Sequence, residues 1–314
     1  VGSGSVRRLT PAGCSHGLLA VHGDLVATCA SSPSSLPQVA LGSVRRRRAN
    51  WARLPPSAAA EGEVAPAVQG ALAGLSVEVV ACTPEDGSQD DAFEAIVVRP
   101  REGTEQAPPL LFLHGGPHMA ATASWPTCWP LAALAARGWS IVAPNYRGSV
   151  GFGERALQSL PGHIGQQDVS DCLAALAEAR QRGLCAEPGS AGGVACVGGS
   201  HGGFLAGHLA GQRPDIVRAA VLRNPVCNVA AMATVSDIPD WCFKEALGSL
   251  ERFTLAPRAE ELAAMLACSP AAHAEAAAAV PHLLILGAKD LRVPPSQGLV
   301  HARLLREKGA ASVE

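Results

Sequence analysis

The sequence VACVGGSHGG occupies residues 194–203, where a short apolar run meets a glycine-rich turn. The apolar run predicts a buried β-strand over residues 194–197, and residues 204–212 predict a helix directly after the turn. A strand, a G-x-S-x-G motif and a helix in this order form a nucleophile elbow, whose sharp turn raises a serine hydroxyl above the sheet. The motif therefore indicates Ser200 as a nucleophile; the alternative is a glycine-rich turn that only caps a helix.

The glycines of this motif have a physical reason. A sharp strand-to-helix turn crowds the backbone on both sides of the serine, so we expect no space for a side chain at Gly198 or Gly202. The serine oxygen then lies at a helix N-terminus, where developing negative charge is favoured.

The chain also offers donors for the oxyanion that forms when a serine attacks a carbonyl group. One donor in such sites is the backbone N–H of the residue after the nucleophile, here His201, and the second comes from a loop after an earlier strand. The sequence HGGP at residues 114–117 follows the apolar run 110–113, and Gly116 can present its N–H without a side chain in the way. We therefore predict Gly116 and His201 as the oxyanion hole; a simple tight turn is the alternative for HGGP.

An acidic residue is expected after a later strand, because the triad of this type of site runs in the order serine, acid, histidine. The sequence LLILGAKD at residues 283–290 supplies a buried-type strand with Asp290 just beyond it. We predict Asp290 as the acid, with a plain turn aspartate as the alternative. Asp237 and Asp240 are weaker candidates because no strand precedes them.

The histidine of the triad is not found where it is expected. Only His301 follows Asp290, and it falls in the middle of a helix predicted over residues 296–308, whereas the base normally lies on a loop after the last strand. We therefore expect the base beyond Glu314. The chain also begins with Val1 rather than methionine, so we expect it to be truncated at both ends and, by itself, inactive.

The C-terminal part of the chain has the pattern of an α/β domain. β-type runs alternate with helical runs from Phe93 onward, which is typical of βαβ units and a mainly parallel sheet. Apolar residues at helical spacing from Val169 to Leu176 predict an amphipathic helix that ends at Gly183. The predicted strands cover residues 93–98, 110–113, 140–144, 194–197, 219–222 and 283–286. The predicted fold class is an α/β-hydrolase domain over residues 93–314.

Residues 1–92 have a different composition. They are rich in alanine, glycine, proline and serine, with short β-like stretches that indicate strands or loops without a core of their own. The four consecutive arginines at residues 45–48 are interpreted as a solvated loop; an anion-binding or nuclear-import role is the alternative.

Composition narrows the class of partner. The chain of 314 residues has 25 Lys+Arg and 27 Asp+Glu, so no charge bias directs it to nucleic acid or to an anionic membrane. No apolar run reaches the roughly 18 residues of a membrane span, and no motif indicates a metal or a cofactor. The ten cysteines form no Cys-x-x-Cys pair, so we predict free thiols in a reducing cytoplasm, with disulfides as the alternative.

Several motifs together resemble those of the prolyl oligopeptidase family of serine peptidases, and two further stretches look like those of its acylaminoacyl-peptide hydrolase branch. The first set comprises HGGPH (114–118), NYRGS (145–149), GFG (151–153) and GSHGG (199–203), and the second comprises RNPV (223–226) and DIPDWC (237–242). A plain esterase would share only the elbow and the HGG loop, so the combination is specific.

The resemblance implies a fold and an activity. The fold would be an α/β-hydrolase domain capped by an N-terminal β-propeller, with residues 1–92 as the last propeller strands plus a linker. The activity would be release of an N-acylated, typically acetylated, amino acid from the blocked N-terminus of a short peptide, through an acyl-enzyme on Ser200. The resemblance also assigns the acid to Asp290 and the oxyanion donors to Gly116 and His201, and it implies a homo-oligomer without a cofactor.

One segment is expected to contact the substrate. Residues 237–243 carry apolar bulk, chiefly Trp241 and Phe243, in what the sequence suggests is an irregular stretch between strands. We expect them to line the pocket for the acylated residue. Three other functions remain open at this point: a dipeptidyl peptidase or a carboxylesterase with the same elbow, and a non-catalytic interaction module.

Overall fold

The computed structural model describes residues 9–11, 14–45, 48–54, 66–87, 92–103, 107–187 and 193–314. Within these residues the strands form two sheets, an N-terminal one with four strands and a larger one with seven.

The N-terminal sheet is an antiparallel meander. Strand β1 (Ser15–His22) pairs with β2 (Leu25–Ser32), β2 with β3 (Ser35–Arg45), and β3 with β4 (Arg48–Arg53). Of the arginine run, residue 45 ends β3 and residue 48 begins β4, while residues 46 and 47 lie outside the described residues. Several apolar side chains of this sheet are exposed, among them those of Leu18, Leu19, Val21 and Leu25.

The larger sheet has a mainly parallel core. Its strands are β5 (Leu75–Cys82), β6 (Phe93–Pro100), β7 (Pro109–Leu113), β8 (Ser140–Asn145), β9 (Val194–Gly199), β10 (Val217–Arg223) and β11 (His282–Ile285). They lie in the order β11-β10-β9-β7-β8-β6-β5. The pairs β5–β6 and β6–β8 are antiparallel, and the other pairs are parallel. The predicted strands and the α/β-hydrolase fold class are confirmed.

The first strand of this sheet lies before the expected domain boundary. Strand β5 pairs with β6 along its whole length, from Leu75 opposite Pro100 to Cys82 opposite Phe93. The boundary drawn between residues 92 and 93 therefore divides a hairpin. The sequence of a short strand does not identify the sheet that it joins, because side-chain packing in the folded protein selects its neighbours.

Helices cover both faces of the larger sheet. On one face, α4 (Gln167–Gln181) and α5 (His201–Gln212) share a core with alternate strand residues, and on the other face α1 (Pro66–Ala73) and α2 (Trp125–Ala135) do so. The predicted amphipathic helix is α4. The remaining helices are α3 (Glu154–Gln158), α6 (Val229–Met232), α7 (Pro239–Leu247), α8 (Ala259–Ala267), α9 (Ala274–Ala277) and α10 (Ser296–Glu307), with a 3-10 turn at Pro270–His273.

The last residues of the chain pair alongside β11. Val313 lies opposite His282 in a parallel bridge, and the Leu284 N–H donates to the Glu314 carbonyl at 2.8 Å. Helix α10 ends just before Gly309, whose φ is 89°. A segment that pairs with β11 therefore follows this helix.

Two further sequence expectations concern membranes and cysteines. None of the helices in the described ranges combines the length and apolar content that crossing a bilayer requires. The nine cysteines whose side chains are described are free thiols. Burial raises the pKa of those in the core, that of Cys196 to about 12, which makes them poor nucleophiles.

Two histidines are buried against each other beside the end of the sheet. The ring centroids of His282 and His301 lie 6.2 Å apart, and neither ring nitrogen of His301 has a hydrogen-bond partner among the described residues. Burial lowers the pKa of His301 to about 4 and also lowers the pKa of His282. The folded protein therefore holds these rings neutral at pH 7.

Replacing His301 by leucine should make the fold less sensitive to acid. A histidine in the unfolded chain takes up a proton near pH 6.5, but folded His301 does so only near pH 4, so stability is lost as the pH falls between these values. The loss should be on the order of 2 kcal/mol at pH 4.5. We expect the difference in urea midpoint between pH 7 and pH 4.5 to shrink in His301→Leu. The control His22→Leu, at an exposed ring, should keep the wild-type difference; an unchanged difference in His301→Leu would contradict this account.

Candidate active site

Ser200 lies in the turn between β9 and α5, where the elbow motif predicts it. Its φ of 58° is in the left-handed region, which is strained for a residue with a side chain and is frequent at functional sites. The Ser200 N–H donates to the Arg223 carbonyl at 2.9 Å, and the Ser200 carbonyl accepts the Phe204 N–H at 3.0 Å. The serine is thus held at the carboxyl end of the parallel strands and at the N-terminus of a helix.

The glycines around Ser200 are required by close backbone contacts. A Cβ atom at Gly198 would collide with the Gly202 carbonyl, and one at Gly202 would collide with the Leu113 carbonyl at the end of β7. The predicted absence of space is therefore found on both sides of the serine. These contacts also join the elbow to the neighbouring strand.

The HGGP loop passes directly over the serine. A Cβ atom at Gly115 would lie 2.9 Å from the Gly199 carbonyl oxygen and 3.4 Å from the Ser200 Cβ. Gly116 has a φ of 121°, and the bond from Gly116 to Pro117 is cis. The Gly116 carbonyl accepts a hydrogen bond from Trp241 Nε1 at 3.1 Å. The structure thus brings Gly116 and Ser200 to one place.

The histidine of this loop is a buried, neutral group. Its ring stacks on Tyr146, with centroids 4.4 Å apart, and Nε2 lies 2.9 Å from Ser149 Oγ. Nδ1 lies 2.8 Å from the Gly115 carbonyl, to which it can only donate, so Nε2 accepts the serine hydroxyl. Burial lowers the pKa of His114 to about 4. This ring is therefore occupied in supporting the loop.

His201 begins α5, and its side chain is paired inside the protein. Nε2 lies 2.8 Å from Asp168 Oδ2, and both side chains are fully buried. Asp168 Oδ1 accepts the backbone N–H groups of Gly165 and Val169 at 2.8 and 3.0 Å. The pair fixes the first residue of the helix, whose amide is the predicted second oxyanion donor. The sequence carries no signal that Asp168 and His201 meet, because 33 residues separate them.

Asp290 lies in the loop after β11, at the same end of the sheet. Its Oδ1 accepts the backbone N–H groups of Arg292 and Val293, each at 3.0 Å. The start of this loop is joined to β10 through Asn224, whose Oδ1 accepts the Gly287 N–H at 2.6 Å. The predicted acid is therefore on an ordered loop beside the elbow.

The described chain brings no histidine to the serine. No hydrogen bond joins Ser200 Oγ to a histidine ring among the described residues, and His301 is buried within α10, as its place in the predicted helix suggested. His114 and His201 flank the site, but their rings bond to other side chains. The described residues thus assemble Ser200, two candidate donors and the loop of the predicted acid, and none of their histidine rings bonds to the Ser200 hydroxyl.

A cavity of about 760 Å³ opens beside the serine. Its polar end contains Ser200 and the glycine loop, and the acid loop contributes Arg292 and Val293, although Asp290 itself is not part of the lining. The lining includes two arginines and, within the described chain, no carboxylate. The apolar walls include Val226, Met232, Ile238, Trp241 and Val293.

The sequence suggested an irregular stretch at residues 237–243. The structure instead has helix α7 there, beginning at Pro239. Trp241 lines the cavity, whereas Phe243 is fully buried, packs on Phe253 at a centroid distance of 5.4 Å and is not part of the lining. Side chains two positions apart on a helix point in nearly opposite directions. The rings of Trp241 and Phe243 therefore cannot both face the same pocket. Proline at the first helical position and Gly248 at the end, with φ 77°, are the signals that could have predicted this helix.

A serine in a strained strand-to-helix turn, beneath a glycine loop on a mainly parallel sheet, defines the α/β-hydrolase class. The sequence model of the prolyl oligopeptidase family matches residues 125–314. The chain belongs to this family of serine peptidases.

Individual proteins with similar sequences support the same family assignment. An acylamino-acid-releasing enzyme of Arabidopsis thaliana is 39% identical over 98% of this chain, and that of Homo sapiens is 36% identical over 97%. The chain covers 41% of each, so it spans about two fifths of the length of these curated relatives. Among solved structures, the uncomplexed Pyrococcus horikoshii acylaminoacyl peptidase superposes with a TM-score of 0.76 at 20% identity, covering 99% of this chain and 45% of that one. This last likeness concerns the fold.

The elbow glycine at residue 202 should not tolerate a methyl group. Gly202→Ala would force α5 away from the Leu113 carbonyl, and we expect a loss of about 3 kcal/mol in the free energy of unfolding, measured by urea denaturation. Gly70→Ala is the matched control, since it lies in α1 with nothing within 4 Å of the new Cβ, and it should be neutral or stabilising by up to about 1 kcal/mol. Equal effects of the two substitutions would contradict the close contact.

Proposed function

We propose that this chain carries the catalytic site of a serine peptidase that releases an N-acylated, typically N-acetylated, amino acid from the blocked N-terminus of a short peptide. The observation that carries the proposal is Ser200 in its strained elbow, with the Gly116 loop directly above it and an apolar cavity beside it. Acylamino-acid-releasing enzymes that are 36–39% identical over nearly the whole chain support this choice within the family.

The proposed mechanism is acyl transfer through Ser200. The hydroxyl oxygen attacks the carbonyl carbon of the acylated residue while a base takes its proton, and the N–H groups of Gly116 and His201 receive the oxyanion. Collapse of the intermediate breaks the peptide bond, the base returns its proton to the leaving amine, and water then hydrolyses the ester. Asp290 orients the base, which we propose is a histidine outside residues 1–314.

The charge of the cavity favours a blocked substrate over a free one. The described lining contains Arg223 and Arg292, whose positive charges disfavour a free ammonium group nearby. An acylated N-terminus is uncharged, so it can lie against walls formed by residues such as Ile238 and Trp241 without burying an unpaired charge.

We also propose a role for the N-terminal sheet. Four antiparallel strands in a meander, β1 to β4, have the form of one blade of a β-propeller. Exposed apolar side chains such as Leu18 and Val21 would pack on an adjacent blade. In this proposal the propeller part ends before α1, and the linker precedes β5 rather than β6. A homo-oligomer and a cytoplasmic location remain part of the proposal from family resemblance.

Replacing Ser200 by alanine tests the nucleophile. In the protein as the cell makes it, Ser200→Ala should lower hydrolysis of acetyl-alanyl-p-nitroanilide by about a millionfold, because the attacking oxygen is lost. It should also abolish labelling by a fluorophosphonate probe. Ser170→Ala, on the surface of α4, is the matched control and should retain both properties. Retained activity in Ser200→Ala would show that another residue is the nucleophile.

Three comparisons separate the alternatives. Cleavage of alanyl-prolyl-p-nitroanilide in preference to the acetylated substrate would indicate a dipeptidyl peptidase, and cleavage of esters alone would indicate a carboxylesterase. No labelling of the wild-type protein would indicate an interaction module.

A polypeptide of residues 1–314 alone should show little turnover, and near-complete activity there would contradict a base from outside these residues.

A further inference from the structure

Helix α7 contacts the HGGPH loop at two points. Trp241 Nε1 donates to the Gly116 carbonyl at 3.1 Å, and Glu245 Oε1 lies 3.2 Å from Nε2 of His118. Residues four apart on a helix share one face, so a single helical surface reaches both the middle and the last residue of the loop.

The loop needs such support because of its own chemistry. Gly115 and Gly116 have the widest backbone freedom of any residue type, and a side chain at Gly116 is excluded, since a Cβ there would lie 2.7 Å from the His118 nitrogen. Contacts with groups outside the loop therefore add to its stiffness. Trp241 binds the carbonyl of Gly116. The N–H of the same residue is the proposed oxyanion donor.

The second contact is a charged one. His118 Nδ1 lies 2.8 Å from the Gly148 carbonyl and must donate to it, so a neutral ring would present a lone pair to Glu245. The Glu245 side chain is only 3% exposed, and its Oε2 has no partner among the described residues. A protonated His118 supplies the charge that this buried carboxylate requires. The hydrogen bond with Glu245 raises the pKa of His118, and the neighbouring charge of Lys244 opposes this.

We propose that Trp241 and Glu245 are positioning residues, which hold the Gly116 amide in place for the developing oxyanion. The proposal rests on the proposed function, because that function gives the Gly116 amide its role as an oxyanion donor. Trp241 thereby acts through the backbone of the loop, in addition to forming part of the cavity wall. Glu245 acts through His118, and its contact is complete only while His118 is protonated.

Trp241→Phe tests the first contact, because it removes the indole N–H and keeps a smaller aromatic ring in the cavity wall. In the protein as the cell makes it, we expect kcat for acetyl-alanyl-p-nitroanilide to fall about tenfold with KM changed less than twofold, since the oxyanion exists only in the transition state. The rate of labelling by a fluorophosphonate should fall by a similar factor, because its phosphoryl oxygen occupies the same hole. Trp139→Phe, outside the cavity, should leave both values within twofold.

The split between KM and kcat decides the outcome. A rise in KM with an unchanged kcat and labelling rate would mean that Trp241 acts only as a pocket wall, and would overturn the proposal. Labelling of the wild type without cleavage of the acetylated substrate would reject the substrate assignment alone, and the labelling rates would still test the positioning. No labelling of the wild type would reject both.

Glu245→Gln tests the second contact through the pH profile. The contact with His118 is present below the pKa of His118 and is lost as the pH rises through it, so removing the carboxylate should move the alkaline limb of kcat to lower pH. In a His118→Gln background, which cannot titrate, the same substitution should cause no such shift. An equal shift in both backgrounds, or none in either, would overturn the role of Glu245. Far-UV circular dichroism of each variant confirms that the fold is retained.

Discussion

The contact between the elbow and the end of β7 is the constraint on which the site depends. The first turn of α5 approaches the Leu113 carbonyl so closely that residue 202 has to be glycine, and the turn before it brings Gly198 against the same helix. This contact fixes the distance between Ser200 and the loop that leaves β7. A serine at the end of β9 and an amide donor after β7 therefore come together through backbone packing, before any side chain takes part.

Buried charges hold the layers around this contact. Two aspartates near the start of α4 reach different loops: Asp168 pairs with His201, and Asp171 accepts both the backbone N–H and the guanidinium of Arg147 after β8. A buried carboxylate without its partner is strongly unfavourable, so each pair permits essentially one arrangement of the helix against its loop. The N-terminus of α4 thus fixes the position of the elbow on one side, and α7 contacts the HGGP loop from the side of the cavity.

Much of the site could be predicted because its signals are local. The order of strand, glycine turn and helix around Ser200, and the HGGP run after β7, each depend on steric limits that act within a few residues. The parallel strands were predictable for a similar reason, since buried strands read as short apolar runs between helical ones. The missed features depend on which segments pack together in the folded protein. Strand β5 was assigned to the N-terminal part because nothing in its own residues specifies β6 as its neighbour.

The sequence by itself determined the class of this protein: an α/β-hydrolase domain of the prolyl oligopeptidase family, with a glycine-lined serine and an apolar strand leading to Asp290. The elbow and the strands follow from glycine's missing side chain and from hydrophobic periodicity, which are properties of adjacent residues. The family follows from the resemblance of the motifs. Only the tertiary structure decided that Phe243 is buried while Trp241 faces the cavity, and that Asp168 pairs with His201. Helix rotation and the burial of charge depend on what packs nearby, and in a fold of crossing connections those neighbours are distant in the chain.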